Sequence, residues 1–188
     1  MGAYEKGRNH MVFSIEMIDN SHAEDVKIKN DPFSQYGKMV PLFDGKNWTY
    51  KTELFPAEKV EEFCFPDEDY DFEEMQQDCY FVGAYGEDGT CIGLALYRKP
   101  FYDYLYLEDL KVCQSYRHQG VGAALLQQGN VLAKENGYRG VYVIAQDDNL
   151  SACRFYVENG FEIGGYDNKI YTGTSQEGKG NIIFYKNL

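Results

Sequence analysis

The sequence predicts a single α/β domain in which helices pack on a mixed sheet. Its 188 residues are 44% hydrophobic, enough for one ordinary domain with a sizeable core. From about residue 79, strand-like and helix-like patterns follow in the order β-β-β-α-β-α-β-β. Because no linker or repeat divides the chain, the domain is expected to span residues 11–188. Residues 1–10 are expected to be a disordered or cloning-derived N-terminus.

The first part of the chain is less regular. Alternation predicts a strand over 11–18. Two extended runs over 38–54 surround an Asp-Gly turn signal, and Pro41 marks the first run as an edge or irregular strand. The acidic stretch 65–78 spaces its aspartates like a calcium loop, but Phe72 stands where that loop needs glycine. A solvated loop or a helix start is the better interpretation.

The second part alternates strands and helices with clear ends. Apolar residues at three- and four-residue steps predict the first helix, and Gly137 ends it. Asp148 or Asn149 caps the second helix, which Gly160 ends. The predicted elements are strands over 79–85, 90–98 and 102–112, a helix over 120–136, a strand over 140–145, a helix over 148–160, and two last strands in 161–172 and 181–188.

Charge and composition exclude several classes of function. The formal net charge is −12, which disfavours nucleic-acid binding because a phosphate backbone demands basic surface. A cationic small substrate fits better. No apolar run approaches the roughly 18 residues of a membrane span. The five cysteines form no C-x-x-C pair, which indicates reduced thiols in the cytoplasm and neither a disulfide framework nor a metal site.

Arg117-x-x-Gly120-x-Gly122 opens the first helix and carries an anion-binding signal. Glycines let backbone amides converge, and a helix N-terminus adds unpaired donors, so the stretch suits a pyrophosphate. Leu125 replaces the third glycine of a dinucleotide fingerprint, and the Lys-Ser/Thr of a P-loop is absent. Taken alone, two glycines are also typical of a tight turn.

A second stretch makes the first more specific. Together the two resemble the signatures of the GNAT superfamily of acetyl-CoA-dependent N-acetyltransferases. The first matches [Gln/Arg]-x-x-Gly-x-[Gly/Ala]. The second matches through Asn149, Ala152, Phe155, Tyr156, Gly160 and Phe161. The likeness covers about residues 80–185, and "QDDNLSACRFY" (146–156) is similar to the streptothricin acetyltransferases in particular. The chain departs from that subgroup at Ile144 and Ala145, near where an acceptor would be read.

The resemblance implies a fold and a cofactor. The fold is a mostly antiparallel central sheet flanked by helices, with a cofactor cleft where two strands splay apart. The cofactor is acetyl-CoA, with its pyrophosphate on the glycine stretch and its pantetheine along the preceding strand. The residues implied in binding it are Leu110, Lys111, Val112, Arg117, His118, Gln119, Gly120, Val121, Gly122, Ala123, Asn149, Ala152 and Tyr156.

The amine substrate must lose a proton, and a nearby carboxylate can accept it. Glu108 is the expected base and Asp109 the runner-up. Strand alternation places them on opposite faces unless a bulge shifts the phase. The resemblance makes Tyr156 the general acid for the leaving thiolate. The expected substrate residues are Tyr97, Tyr104, Tyr106 and Glu108, aided by Tyr102 and by acidic side chains from 67–78.

Three functions stay open at this point. The first is acetylation of a cationic small molecule, with a streptothricin-type antibiotic as the best candidate. The second is acetylation of proteins or peptides, and the third is a non-catalytic acyl-CoA-binding module. A narrow pocket closed by the 38–54 hairpin would favour a small molecule, and an open groove a peptide. The oligomeric state is also open, with a homodimer as the alternative to a monomer.

Overall fold

The computed structural model describes residues 12–99 and 103–188. The expected N-terminus over 1–10 lies outside the described residues, as does Tyr102. The strands are β1 (Phe13–Met17), β2 (Phe33–Gln35), β3 (Gly37–Phe43), β4 (Trp48–Leu54), β5 (Glu61–Phe63), β6 (Cys79–Gly86), β7 (Cys91–Arg98), β8 (Tyr104–Val112), β9 (Gly140–Gln146), β10 (Glu162–Asp167) and β11 (Asn181–Asn187). The α-helices are α1 (Phe72–Met75), α2 (Val121–Glu135) and α3 (Leu150–Glu158), and 3₁₀ turns cover Asn20–Lys27, Ala57–Lys59 and Gln114–Tyr116.

The central sheet has seven strands in the order β1-β6-β7-β8-β9-β11-β10. Every neighbouring pair is antiparallel except β8 and β9, which run parallel across the α2 crossover. Two small sheets, β2 with β5 and β3 with β4, lie apart from it. The predicted α/β fold, with a mixed and mostly antiparallel sheet flanked by helices, is therefore confirmed.

Both faces of the sheet are covered, which explains why β6 and β7 consist almost entirely of apolar residues. One face packs under α2 and α3, where Leu107, Leu125 and Phe184 lie in the larger core cluster. The other face carries a smaller cluster that includes Leu96 and Phe72, so α1 and the Asn20–Lys27 turn close that side. Among the described residues, no helix is long and apolar enough to cross a membrane.

β8 and β9 pair only over their first halves. The parallel register runs from Tyr104 opposite Gly140 to Leu107 opposite Val143, and then the two strands part. A β-bulge lies at the same point, because the β7 register jumps from Leu96–Asp109 to Tyr97–Leu107 and leaves Glu108 without a partner. A bulge bends its strand. The expected cleft between two splayed strands is thus present, and it opens beside Glu108.

Several elements differ from the sequence prediction. The Asn20–Lys27 turn, capped by the Asp19 carboxylate, and the short strands β2 and β5 were not predicted. The strand expected over 161–172 is shorter, because the Asp167 carboxylate accepts hydrogen bonds from two following backbone amides and turns the chain. The acidic stretch forms a loop and a helix start capped by Asp71, as predicted.

Candidate active site

A cleft of about 620 Å³ lies between the splayed halves of β8 and β9. One end reaches the start of α2 and the inner face of α3. The other end is covered by two segments that precede and follow the small sheets. These are residues 29–33 and 65–68, which contribute Lys29, Asn30, Asp31, Phe33, Phe65 and Glu68. The fold therefore places one long cleft across the parallel strand pair.

The glycine stretch forms the α2 end of the cleft. Gly120 is the residue before the helix and has a φ of +91°, a conformation that favours glycine. The first intrahelical bond runs from the Ala124 amide to the Gly120 carbonyl, so the amides of the first three helical residues have no partner within the helix. Gly120, Gly122 and Ala123 all line the cleft. This end can therefore bind a phosphate group.

Gly122 has a second reason to be glycine. A Cβ at this position would lie 3.2 Å from the Phe155 ring and 3.7 Å from Val112. Phe155 and Val112 also line the cleft, so a larger side chain would push into it. His118, with a φ of +60°, turns the chain just before the glycines and lines the cleft as well. The backbone is thus left open to a close-fitting ligand.

Arg117 lines the cleft, but its guanidinium is engaged with the protein. It donates to the carbonyls of Val112 at 3.0 Å, Asp31 at 2.9 Å and Pro32 at 2.6 Å. The Asp31 carboxylate in turn accepts from the Gln114 amide at 2.7 Å. Arg117 therefore fastens the 31–32 segment to the loop before α2.

Two other predicted cofactor residues have side chains that do not line the cleft. The Gln119 side chain donates to the Ser115 carbonyl at 2.8 Å, and the Val121 side chain is buried in the core. Only their backbone groups remain for a ligand. Val121 packs into the core against β7, and Gln119, which precedes α2, turns back toward Ser115. The expected contacts through their backbone amides stay a prediction.

α3 supplies the other wall beside the glycine stretch. Asn149 caps the helix, since its side-chain oxygen accepts from the Ala152 amide at 3.2 Å. Both residues line the cleft together with Tyr156. The Tyr156 ring packs against Phe161 and Phe184, and burial raises the pKa of its hydroxyl above the usual range. A phenol in such a place stays protonated at neutral pH.

Glu108 is tied to an arginine. Both of its oxygens accept from the Arg98 guanidinium, at 2.5 Å from Nε and 3.0 Å from Nη2. Its side chain is about a quarter exposed (26%). The bidentate arginine occupies both oxygens of the carboxylate.

Asp109 has a different environment. Its Oδ2 accepts from the Tyr70 hydroxyl at 3.3 Å and lies 3.3 Å from the Lys111 ammonium. Burial, with the Glu68 charge beside it, raises the pKa of this carboxyl, although Lys111 acts in the opposite direction. Strand alternation alone would place Glu108 and Asp109 on opposite faces of the sheet. The bulge puts both carboxylates on the α1 face, where their partners Arg98 and Tyr70 lie.

Of the three predicted substrate tyrosines that the structure describes, one lines the cleft and two do not. Tyr106 lines the cleft, with its ring stacked on Tyr142 at a centroid distance of 4.7 Å. The prediction for Tyr97 is wrong: it is fully buried on the α2 face, and its hydroxyl donates to the Leu125 carbonyl at 3.0 Å. Tyr104 is also off the cleft, because it begins β8, at the end of the paired region farthest from the splay, and its hydroxyl donates to the Asn187 side chain.

The 38–54 hairpin does not close the cleft. It packs on α3 and β10, where the Met39 amide donates to the Asp147 carbonyl at 2.8 Å. Instead Phe33 and Phe65, 5.5 Å apart, cover the cleft from the opposite side. Of the acidic residues expected in the cleft from 67–78, the structure places Glu68 there. Among the described residues, no cluster of three or more His, Cys, Asp or Glu could hold a metal ion.

Sequence reasoning missed a polar wall near Ile144. The Gln146 amide donates to the Tyr171 hydroxyl at 2.8 Å, and that hydroxyl donates to the Asn181 side chain at 2.9 Å. All four residues line the cleft. Gln146 directly follows the predicted strand over 140–145, and its polar side chain at that strand end was a usable signal. Nothing local indicates that Tyr171 returns from the turn after β10.

Comparison with known proteins gives a consistent result. The family model described as the acetyltransferase (GNAT) family matches residues 47–161. The streptothricin acetyltransferase A of Bacillus subtilis (strain 168) is 33% identical over 171 residues, which are 91% of this chain and 98% of that protein.

Two solved structures share the fold. A proposed streptothricin acetyltransferase from Bacillus anthracis str. Ames, in complex with acetyl coenzyme A, superposes with a TM-score of 0.84 at 24% identity and covers 94% of this chain and 100% of its own. A nourseothricin acetyltransferase superposes with a TM-score of 0.75 at 23% identity, covering 93% and 98%.

Proposed function

Because the chain belongs to the GNAT family of acetyltransferases, we propose that it acetylates a primary amine of a streptothricin-type antibiotic. The single observation that carries the proposal is the splayed β8–β9 cleft, which has open helix amides and Tyr156 at one end and the carboxylates of Glu108 and Asp109 farther along β8. The relative over nearly the whole chain points to streptothricin. Such a reaction would confer resistance to the antibiotic.

Acetyl coenzyme A is the acyl donor, and when bound it supplies an activated acetyl thioester. The chain fits this group, since Gly120 and Gly122 leave the α2 amides open and the cleft continues past Val112. We assign the pyrophosphate to the backbone amides of residues 118–123 and the pantetheine to Leu110–Val112, with Asn149 and Ala152 opposite. An amide near Leu110 would donate to the acetyl oxygen.

The contacts of the two carboxylates support Asp109 over Glu108 as the general base, which reverses the order expected from the sequence. Both Glu108 oxygens are held by Arg98. Asp109 uses only Oδ2 for its contacts with Tyr70 and Lys111, and burial raises its pKa toward a value useful for accepting a proton. Oδ1 would then take the proton of the acceptor amine.

Tyr156 is the proposed acid. Its protonated phenol lines the cleft from α3, across from β8 and Asp109. Donation from this hydroxyl would neutralise the departing thiolate, and Phe161 and Phe184 hold the ring in place.

The acceptor end suits a cationic amine. Glu68, Glu108 and Asp109 supply negative charge, and Phe33, Phe65 and Tyr106 supply aromatic faces for an ammonium group. The five cysteines are free thiols, as a protein of the reducing cytoplasm would have. Cytoplasmic location is part of the proposal, and a homodimer stays a prediction.

An acetyl-transfer assay with streptothricin at the head of an amine panel tests the function. The expected result is an acetylated antibiotic, found by mass spectrometry, with Asp109→Asn lowering kcat about 10²- to 10⁴-fold and leaving coenzyme A affinity nearly unchanged. Glu108→Gln is the matched control and should cost less. Tight coenzyme A binding without turnover on any amine would instead indicate a non-catalytic module. Turnover of basic peptides alone would indicate a peptide acetyltransferase.

A further inference from the structure

Lys111 is the only lysine or arginine that is buried in the described part of the chain. Its side chain is 5% exposed. An ammonium group in such a place is costly unless carboxylates and carbonyls surround it. The proposed coenzyme A binding places the pantetheine along the strand that contains Lys111 and gives the lysine side chain no role.

The Lys111 ammonium is held from two elements. It contacts the Glu68 carboxylate, lies 3.3 Å from Asp109 Oδ2, donates to the Ile28 carbonyl at 3.3 Å, and sits 5.5 Å from the centre of the Tyr70 ring. The segments that cover the cleft are joined to each other as well, since the Asn30 side chain donates to Glu68 at 2.9 Å. The ammonium is therefore the junction between strand β8 and the cover of the cleft.

The two carboxylate oxygens of Asp109 have different surroundings. Lys111 and Tyr70 both contact Oδ2, whereas none of the described residues donates a hydrogen bond to Oδ1. Rotation of the carboxylate is thereby restricted, and Oδ1 is the oxygen left for a ligand in the cleft. A side chain held in this way presents one acceptor in a fixed direction.

The charged groups around Asp109 also point to a role for Lys111. Asp109 and Glu68 are two partly desolvated carboxylates near one ammonium, and without that ammonium two like charges would share one site. The other titratable groups that face Asp109 from the surrounding elements are Tyr106 and Glu108 on β8, Arg98 on β7 through its pair with Glu108, Tyr156 on α3, and Tyr70 before α1. Arg98 is already paired with Glu108, so Lys111 is the cation available to Asp109.

We propose that Lys111 is a positioning residue that keeps Asp109 ionised and holds its Oδ1 toward the acceptor amine. The proposal rests on the proposed function only for the identity of that amine. Glu68 then has two opposing effects. It holds the Lys111 ammonium in place, but its negative charge opposes ionisation of Asp109.

Two substitutions should therefore move the titration of Asp109 in opposite directions. Lys111→Met removes the favourable charge and should raise the Asp109 pKa by about one unit or more. Glu68→Gln removes the unfavourable charge, frees the ammonium for Asp109, and should lower that pKa. The direct readout is the carboxyl ¹³C chemical shift of labelled aspartate, titrated in the full chain. The acid limb of kcat/KM for acetyl transfer should follow the same two directions.

The control is Lys51→Met, because Lys51 pairs with Glu53 at 2.9 Å on the exposed hairpin and is far from the reaction. It should leave the titration unchanged. If Lys111→Met and Glu68→Gln shift the Asp109 pKa in the same direction, or neither shifts it, Lys111 is only a structural latch and the proposal is overturned. Should Lys111→Met fail to fold, Lys111→Gln takes its place and is judged with Glu68→Gln by the same criterion. The NMR titration does not need turnover, so an inactive wild-type enzyme would refute the proposed function and not this inference.

Discussion

Substitution of Gly122 tests the proposed phosphate site through its geometry. A Cβ at this position would meet the Phe155 ring at 3.2 Å and Val112 at 3.7 Å. The single methyl of Gly122→Ala needs a shift of a few tenths of an ångström. Gly122→Val adds two more carbons to a space that has no room for them, so either Phe155 or the valine itself must enter the cleft.

The expected loss can be worked from the contacts at risk. A hydrogen bond to a charged group contributes about 1.5–3 kcal/mol. Loss of one amide–phosphate contact should therefore weaken coenzyme A binding about 10- to 150-fold. Overpacking costs about 1–3 kcal/mol of stability, and the better helix propensity of valine over glycine offsets only about 0.3 kcal/mol of it, so the unfolding temperature should fall moderately.

Isothermal titration with coenzyme A measures this effect, and thermal unfolding of the same samples reports the fold. Gly122→Ala is the matched control and should lose a few-fold in affinity at most. If Gly122→Val is folded at the temperature of the titration and binds coenzyme A as tightly as the wild type, the cofactor does not lie against this helix start, and the reasoning is refuted.

Further predictions concern the reacting groups and the loop before α2. Tyr156→Phe should lower kcat about 10²-fold or more in steady-state assays without unfolding the chain, since the ring still packs on Phe161; an unchanged kcat would remove Tyr156 as the acid. The acid limb of kcat/KM should lie above pH 3.8, because the raised pKa of Asp109 means that the base becomes ionised, and the enzyme active, only as pH rises through that higher value; a limb at or below 3.8 would contradict it. Arg117→Met should lower the unfolding temperature and weaken coenzyme A binding together, because three carbonyls lose their donor; a stable variant with normal affinity would contradict that.

Local patterns made much of the fold and the cofactor end predictable. Helices α2 and α3, their terminating glycines and the strands between them depend on residues close in sequence, so spacing alone indicates them. Gly120 needs the conformational freedom of glycine, and Gly122 must be small because Phe155 leaves little room. Tyr156 was identified by a motif over 149–161, in and around α3. These residues line the cleft, and their roles in binding and catalysis stay predictions.

The acceptor end was not predictable in the same way. The bulge at Glu108 depends on the register between β7 and β8, which strand alternation does not reveal, and it turns both carboxylates to one face. Phe33, Phe65 and Glu68 lie in irregular segments whose position depends on contacts with residues distant in sequence, which local patterns do not predict. Tyr97 looked like a substrate residue by composition, yet its position in the middle of a sheet covered on both faces buries it.

A crystal structure of the chain with coenzyme A tests the central claim most directly. We expect pyrophosphate oxygens within hydrogen-bond distance of the amides at the start of α2, and the pantetheine between β8 and β9, with its sulfur near Tyr156 and Asp109. Coenzyme A bound outside the splay, or with its sulfur remote from both side chains, would contradict the account.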